Sequence, residues 1–196
     1  LVGSEMCIRD RYDLAEDDHE RLCSILKGIP YIFHCAAMVS DWADRDQMYN
    51  INVLGLKRLI EASDREVLKR FVFIGSMAVL GMDKQEDVDE SAPRVLTGDN
   101  YNYTKVKAEE LAEEYAKVHG YPIVIIRPPY IYGPRDRQFF PRVISALQKG
   151  IFTFIGDGET PFSLVYVENL VEAIMLAAKN ENAIGKIYMI TCLLYT

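Results

Sequence analysis

The chain has 196 residues, of which 49% are hydrophobic and 26% are charged, a composition typical of a globular domain with a sizeable core. The formal net charge of -7 argues against a nucleic-acid partner, which would require a basic surface. The four cysteines form no CxxC pair, and no apolar run is long enough to span a bilayer. We therefore expect a cytoplasmic protein with no structural metal and no membrane span.

Both ends of the chain have an unusual sequence. Residues 1–11 and residues 192–196 resemble translated sequencing-adapter sequence, so we predict that they are not native protein. Residues 12–191 are then expected to be a fragment that is interrupted at both ends. The predicted elements begin inside this fragment.

In residues 12–134, segments with helical periodicity alternate with apolar runs of strand length. The predicted helices cover about residues 16–27, 47–63 and 100–119. The predicted strands are Tyr31–His34, Phe71–Ile74 and Ile123–Ile126. This alternation predicts the α/β class, with βαβ units and a doubly wound parallel sheet.

The layout changes in residues 135–191. We predict a helix near residues 141–149, a turn at Gly156-Asp157-Gly158, a strand at residues 164–167 and a helix at residues 168–179. This region is interpreted as a partial substrate-binding portion that is interleaved with the last strands of the sheet.

A glycine-rich GxGxxG turn does not occur in the sequence. In a doubly wound fold, that turn binds the pyrophosphate of a dinucleotide at a helix N-terminus. Either the protein binds no dinucleotide, or the first βαβ units are missing from the fragment. The motifs below favour the second explanation, in which residues 12–134 are a truncated dinucleotide-binding, Rossmann-like domain.

Tyr101 and Lys105 are four residues apart in a predicted helix, so their side chains share one face. A phenol titrates at a pH of about 10, and a nearby ammonium group favours the phenolate. The pair is therefore suited to acid/base chemistry near neutral pH. Tyr103 and Lys107 form a second such pair, and spacing alone does not choose between the two.

The surrounding residues resemble the extended short-chain dehydrogenase/reductase superfamily, which includes NAD-dependent epimerases and dehydratases. Tyr101, Thr104, Lys105, Ala108 and Glu109 match its Y-x-x-[ST]-K-x-x-A-E motif, whereas the alternative register matches only the pair. The resemblance implies that Tyr101 moves the proton and that Lys105 lowers the pKa of its phenol.

Other segments are similar to motifs of the same superfamily and follow its order. Ser76 comes after the strand Phe71–Ile74, at the position of the catalytic hydroxyl, and Asn52 lies in an N-V-x-G segment that is implied to support a proton path. The resemblance implies NAD or NADP as cofactor. The cofactor-binding residues that it implies are Asp13, Leu14, Cys35, Ala36, Ala37, Ile74, Tyr101, Lys105, Pro128, Tyr130 and Ile131.

We expect a small-molecule substrate, and the motifs restrict its chemical class without identifying it. Phe162 occupies the position at which many nucleotide-sugar enzymes of the superfamily carry an arginine for the diphosphate, and residues 37–42 are similar to a loop of 3β-hydroxysteroid and sterol dehydrogenases. Both features favour a steroid-like or other apolar alcohol. Arg135 and Arg137, however, are suited to an anionic group. The candidate substrate residues are Met38, Ser76, Met77, Arg135 and Phe162.

Three functional classes follow from these expectations. The first is an NAD(P)-dependent dehydrogenase of a secondary alcohol or ketone, the second a nucleotide-sugar epimerase or dehydratase, and the third a non-catalytic NAD(P)-binding regulatory protein. The presence of both Tyr101 and Lys105 favours an enzyme. The resemblance also implies a homodimer, and the fragment by itself is expected to be inactive.

Overall fold

The computed structural model describes residues 12–40, 42–81, 88–137, 139–153 and 162–192. Residues 1–11, residues 193–196 and the predicted Gly156-Asp157-Gly158 turn lie outside these ranges. The helices in the described residues are α1 (His19–Leu26), α2 (Arg45–Tyr49), α3 (Gly55–Ala62), α4 (Asn100–Lys117), α5 (Phe140–Gln148) and α6 (Val167–Lys179). The strands are β1 (Tyr31–His34), β2 (Arg70–Ile74), β3 (Ile123–Arg127), β4 (Tyr130–Tyr132), β5 (Leu164–Tyr166) and β6 (Ile187–Met189).

The main sheet has the strand order β1-β2-β3-β6, and each neighbouring pair is parallel. A second sheet consists of the parallel strands β4 and β5. The predicted α/β class with a parallel sheet is therefore confirmed. The region after residue 134 supplies β6 to the main sheet and β5 to the small one, so the chain crosses between the two sheets.

Alternate side chains of the central strands point to opposite faces of the sheet, and both faces are buried. Phe71 and Phe73 of β2 join one core cluster with residues of α1, α3 and α4. Val72 of β2 joins a second cluster with Leu170 and Ala177 of α6. Helices therefore cover both faces of the sheet.

The predicted helix at residues 47–63 is interrupted in the structure. Asp44 caps α2 by accepting a hydrogen bond from the backbone N–H of Gln47 at 2.8 Å, so the helix begins earlier than predicted. A π-helical turn, Asn50–Leu54, then joins α2 to α3. Such turns insert one residue into the helical ladder and are frequent at functional sites.

Candidate active site

Ser76 lies just beyond the carboxyl end of β2, where ligands of parallel sheets bind. Its side-chain oxygen caps the 3₁₀ turn Met77–Leu80 by accepting a hydrogen bond from the backbone N–H of Ala78 at 3.1 Å. The backbone N–H of Met77 donates to the carbonyl oxygen of Pro128 at 3.0 Å. These bonds fix the direction in which the Ser76 hydroxyl points, and that hydroxyl interacts with the phenol of Tyr101 and acts to lower its pKa.

Helix α4 brings Tyr101 and Lys105 to this loop. Asp99 caps the helix through the backbone N–H of Asn102 at 2.7 Å. The buried amide of Asn102 donates to the carbonyl oxygens of Ala78, at 2.7 Å, and Val95, at 2.9 Å. The first turn of α4 is therefore tied to the loop that carries Ser76.

The alternative register faces another part of the molecule. The ring of Tyr103 packs against Tyr49 and the guanidinium of Arg45, both in α2. Lys107 forms an exposed ion pair with Glu110 at 2.8 Å. The structure thus brings Ser76 together with Tyr101 and Lys105, and turns the second pair away from Ser76.

Lys105 is buried, with 5% of its surface exposed. Its Nζ atom donates a hydrogen bond to the carbonyl oxygen of Ile74 at 3.0 Å and lies 5.9 Å from the centroid of the Tyr101 ring. Burial lowers the pKa of Lys105 to about 8, while Glu109 and then Cys35 act in the opposite direction. The ammonium form of Lys105 is therefore sensitive to charges placed around it.

The pKa of Tyr101 is shifted by its surroundings. Burial raises it above its ordinary value, and the interaction with Ser76 acts in the opposite direction. Lys105 directs its nearest hydrogen bond to Ile74 and not to the phenol. The pKa of Tyr101 lies above its ordinary value in this arrangement of side chains, and the lowering of the phenol pKa by Lys105 stays a prediction.

Asn52 lies in the π-helical turn with 3% of its surface exposed. Its Oδ1 atom accepts from the backbone N–H of Met38 at 2.7 Å. Its Nδ2 atom donates to the carbonyl oxygen of Met38 and to the hydroxyl of Thr104, both at 3.1 Å. Asn52 therefore links the loop after β1 to α4, and it holds the backbone of a residue that the sequence places at the substrate.

Five of the predicted cofactor residues, Asp13, Leu14, Cys35, Ala36 and Ala37, occupy two regions. Cys35, Ala36 and Ala37 follow β1, beside Ile74, and Cys35 and Ala36 are exposed. Asp13 and Leu14 lie elsewhere, against the start of α3: the Leu14 carbonyl oxygen accepts from Arg58 at 2.9 Å, and a methyl group added to Gly55 would meet the Leu14 side chain at 3.0 Å. That close approach explains the glycine of the N-V-x-G segment.

Pro128, Tyr130 and Ile131 complete the predicted cofactor set. Pro128 is buried at the end of β3, whereas Tyr130 and Ile131 are exposed on β4. The ring of Tyr130 stacks on that of Phe162 at a centroid distance of 4.6 Å and contacts Phe139 at 5.0 Å. Tyr130 thus belongs to an aromatic group with a predicted substrate residue, and it also interacts electrostatically with Tyr101.

Met77 and Arg135 are the remaining substrate candidates. Met77 lines an open cavity of about 360 Å³ whose walls also include Val88, Asp89, Glu90, Ser163 and Met189. Arg135 is exposed in the left-handed backbone region, with φ of 72°, on the loop after β4. Met77 is thus a predicted substrate residue that lines this cavity, and Met189 of β6, a strand that the sequence did not predict, lines it as well.

Two buried charged or titratable groups near the site had no predicted role. His34 has 4% of its surface exposed, and burial followed by the charge of Lys105 lowers its pKa to about 4. Glu109 is fully buried and pairs with Arg127 and Arg94. In the sequence, Glu109 stood out only as the last residue of the Y-x-x-[ST]-K-x-x-A-E motif. Its pairing could not be predicted, because Arg94 and Arg127 lie far from it along the chain.

The residues around Lys105 suit a flat, polar ring with an attached sugar. Ala36 and Ala37 carry no side chain beyond Cβ, so the backbone after β1 is open to close approach. Lys105 contributes a cationic donor and Tyr101 a phenol on the adjacent turn of α4. This donor set fits the nicotinamide riboside part of NAD or NADP.

A parallel α/β sheet with a serine, a tyrosine and a lysine at its carboxyl edge is the arrangement of the short-chain dehydrogenase/reductase superfamily. A sequence profile of the NAD dependent epimerase/dehydratase family matches residues 7–191. The chain therefore belongs to the NAD-dependent epimerase/dehydratase family, which confirms the resemblance inferred from the motifs.

Relatives in this family differ in their described activities. The chain is 34% identical over 172 residues to a protein described as an uncharacterized UDP-glucose epimerase, YtcB, of Bacillus subtilis (strain 168), with 84% of the chain and 54% of the relative covered. It is 29% identical over 167 residues to a sterol-4-alpha-carboxylate 3-dehydrogenase of Mus musculus, with 83% and 46% covered. The chain thus spans about half the length of the curated relatives that it matches.

A solved structure supports the same fold. UDP-glucuronic acid 4-epimerase from Bacillus cereus, in complex with UDP-glucuronic acid and NAD, superimposes with a TM-score of 0.80 at 28% identity, covering 93% of this chain and 59% of that one. In the described part of the chain, no helix has the length and apolar character needed to cross a membrane.

Proposed function

We propose that the chain carries the catalytic residues of an NAD(P)-dependent oxidoreductase that exchanges a hydride with a secondary alcohol or ketone. The observation that carries this proposal is that the structure brings the Ser76 hydroxyl to the Tyr101 phenol at the carboxyl end of β2, with the Lys105 ammonium 5.9 Å from the centroid of the same ring. A regulatory protein that only binds the dinucleotide has no need for this pair of hydroxyls.

In the proposed reaction, Tyr101 gives a proton to the substrate oxygen or takes one from it, and the Ser76 hydroxyl orients that oxygen. When bound, NAD or NADP supplies the hydride chemistry. Lys105 binds the adjacent ribose, since its Nζ atom already lies 5.9 Å from the centroid of the Tyr101 ring. Asn52 keeps the Met38 backbone in place at the entrance to the site.

We further propose that the substrate is apolar near its reacting carbon. The rings of Tyr130, Phe139 and Phe162 stack at centroid distances of 4.6 to 5.1 Å, and Tyr130 and Phe162 remain partly exposed. The described walls of the cavity beside Met77 carry two carboxylates and no cation, which disfavours a diphosphate. Apolar pockets with a few polar groups suit steroid-like alcohols.

A nucleotide-sugar epimerase or dehydratase is the second candidate. It is favoured by the 34% identity to the relative described as a UDP-glucose epimerase. The exposed side chains of Arg135 and Arg137 on the loop after β4 also suit an anionic group.

The proposal is tested by Tyr101→Phe in the full-length protein, with Tyr103→Phe as the matched control on the same helix. We expect Tyr101→Phe to lower turnover at least about 100-fold while NAD(P)H binding, measured by nucleotide fluorescence, is retained. Tyr103→Phe should leave turnover close to that of the parent protein. Loss of turnover in Tyr103→Phe alone would show that the register is wrong. Assays with a 3β-hydroxysteroid and with UDP-glucose separate the two substrate classes.

A further inference from the structure

Four charged side chains form an ion cluster behind Ser76, Tyr101 and Lys105. The fully buried carboxylate of Glu109 accepts hydrogen bonds at 2.7 Å from both Arg127 and Arg94. Glu113, one turn further along α4, accepts from the other side of Arg94 at 2.7 Å. We call these four residues, Arg94, Glu109, Glu113 and Arg127, the Glu109 ion cluster.

The Glu109 carboxylate lies directly against the catalytic loop. A methyl group added to Gly75 would be 3.2 Å from Oε2 of Glu109 and 3.3 Å from the carbonyl oxygen of Ile126. Gly75 separates Ile74, whose carbonyl oxygen accepts from Lys105, from Ser76. A shift of the carboxylate toward or away from Gly75 therefore moves the acceptor of Lys105 and the catalytic hydroxyl together.

Glu109 also acts on the charge of Lys105. Among the described residues, the titratable groups that face the Lys105 ammonium are Tyr101 and Glu109 from α4, and His34 and Cys35 from the end of β1. Glu109 is the foremost of the groups that oppose the effect of burial on Lys105. Its carboxylate therefore favours the ammonium form of Lys105.

Burial of a carboxylate is costly unless its oxygens are fully hydrogen-bonded, and Arg127 and Arg94 supply these bonds. Glu113 provides the comparison on the same helix. It pairs with Arg94 and Lys117 at the partly exposed end of the cluster. Glu109, not Glu113, is the member that packs against Gly75.

We propose that Glu109 is a positioning residue, which holds the Ile74–Ser76 loop in place and keeps Lys105 in its ammonium form. The effect of Glu109 on kcat rests on the proposed function, whereas its effect on the charge of Lys105 does not. Arg127 and Arg94 act through Glu109 by fixing where its carboxylate lies.

The test is Glu109→Gln in the full-length protein, with Glu113→Gln as the matched control. The titration of Lys105 is followed by NMR of protein labelled with carbon-13 at lysine Cε, assigned with Lys105→Met. We expect Lys105 in Glu109→Gln to lose its proton at lower pH than in the parent, because one negative charge is gone and the guanidinium group of Arg127 is left uncompensated, while Arg94 keeps its pair with Glu113. We also expect kcat to fall by about 10- to 100-fold, with a smaller change in KM. Glu113→Gln should resemble the parent in both measurements.

An unchanged Lys105 titration in folded Glu109→Gln overturns the proposal, and so does a parental kcat. Should Glu109→Gln fail to fold, Glu109→Asp keeps the charge and withdraws the carboxylate from Gly75. That variant should titrate like the parent but have a lower kcat, and a parental kcat in it overturns the positioning role. Because the NMR titration requires no turnover, a parent protein without dehydrogenase activity refutes the proposed function alone.

Discussion

His34 is a buried titratable residue beside the candidate active site. Its ring stacks on Phe73 at a centroid distance of 5.9 Å and has little access to water. Burial first, and then the charge of Lys105, lower the pKa of His34 from 6.5 to about 4. Between these two values the unfolded chain binds a proton at this position and the folded chain does not, so the free energy of unfolding decreases as the pH falls.

His34→Gln should remove that pH dependence. Between pH 7.5 and pH 5, we expect the free energy of unfolding of the parent to fall by about 2 kcal/mol more than that of the variant. Urea unfolding at the two pH values measures the difference. His119→Gln, at an exposed position, is the control and should retain the parental pH dependence. Parallel behaviour of His34→Gln and the parent would contradict the assignment.

At the same scale, the sequence identified Ser76, Tyr101 and Lys105 because their spacing places them on one helix face and at one strand end. It did not reveal that the Lys105 ammonium would donate to the Ile74 carbonyl oxygen, or that burial would raise the pKa of the Tyr101 phenol. It also gave no sign of the partners of Glu109. Arg127 reaches Glu109 only because α4 packs against β3 in the folded chain.

At the level of elements, β1, β2, β3 and the three-residue strand β5 were predicted from the sequence, whereas β4 and β6 were not. β1 has the predicted bounds, Tyr31–His34, and β2 and β3 each extend one residue beyond them. β4 and β6 have three residues each, too few to show a period, and they form only through pairing with strands far away in the sequence. The π-helical turn was not predicted either, because its residues continue the helical pattern of the sequence.

Gly133 joins β4 to the loop that carries Arg135, and its backbone lies in a region that favours glycine, with φ of 133°. A methyl group there would be 2.8 Å from the Val167 side chain and 2.9 Å from the ring of Tyr166. Gly133→Ala should therefore lower the free energy of unfolding by about 1–3 kcal/mol through strain and steric overlap. Gly185→Ala, also at positive φ but with nothing within 4 Å, isolates the strain and should cost less in the same urea experiment. Equal losses in the two variants would show that the contact between β4 and α6 is not tight.

At the level of the whole molecule, β1 is an edge of the main sheet, because β2 is its partner and the described residues supply no strand on its other side. Tyr31 and Phe33, on one face of β1, are 41% and 40% exposed. An edge strand with an exposed aromatic face is a template for association with another chain. The same edge carries Cys35 and Ala36, so whatever covers β1 also lies close to the expected cofactor.

We therefore expect the 196-residue chain, studied by itself, to self-associate through β1. Phe33→Lys should shift it toward the monomer, because an ammonium group on an edge strand opposes pairing with a second chain. Light scattering coupled to size exclusion measures the effect over a series of protein concentrations. Val118→Lys is the matched control, since it places the same charge at a 73% exposed apolar position at the end of α4. A parent chain that stays monomeric at high concentration, or a Val118→Lys variant that dissociates as readily as Phe33→Lys, would rule out β1 as the associating surface.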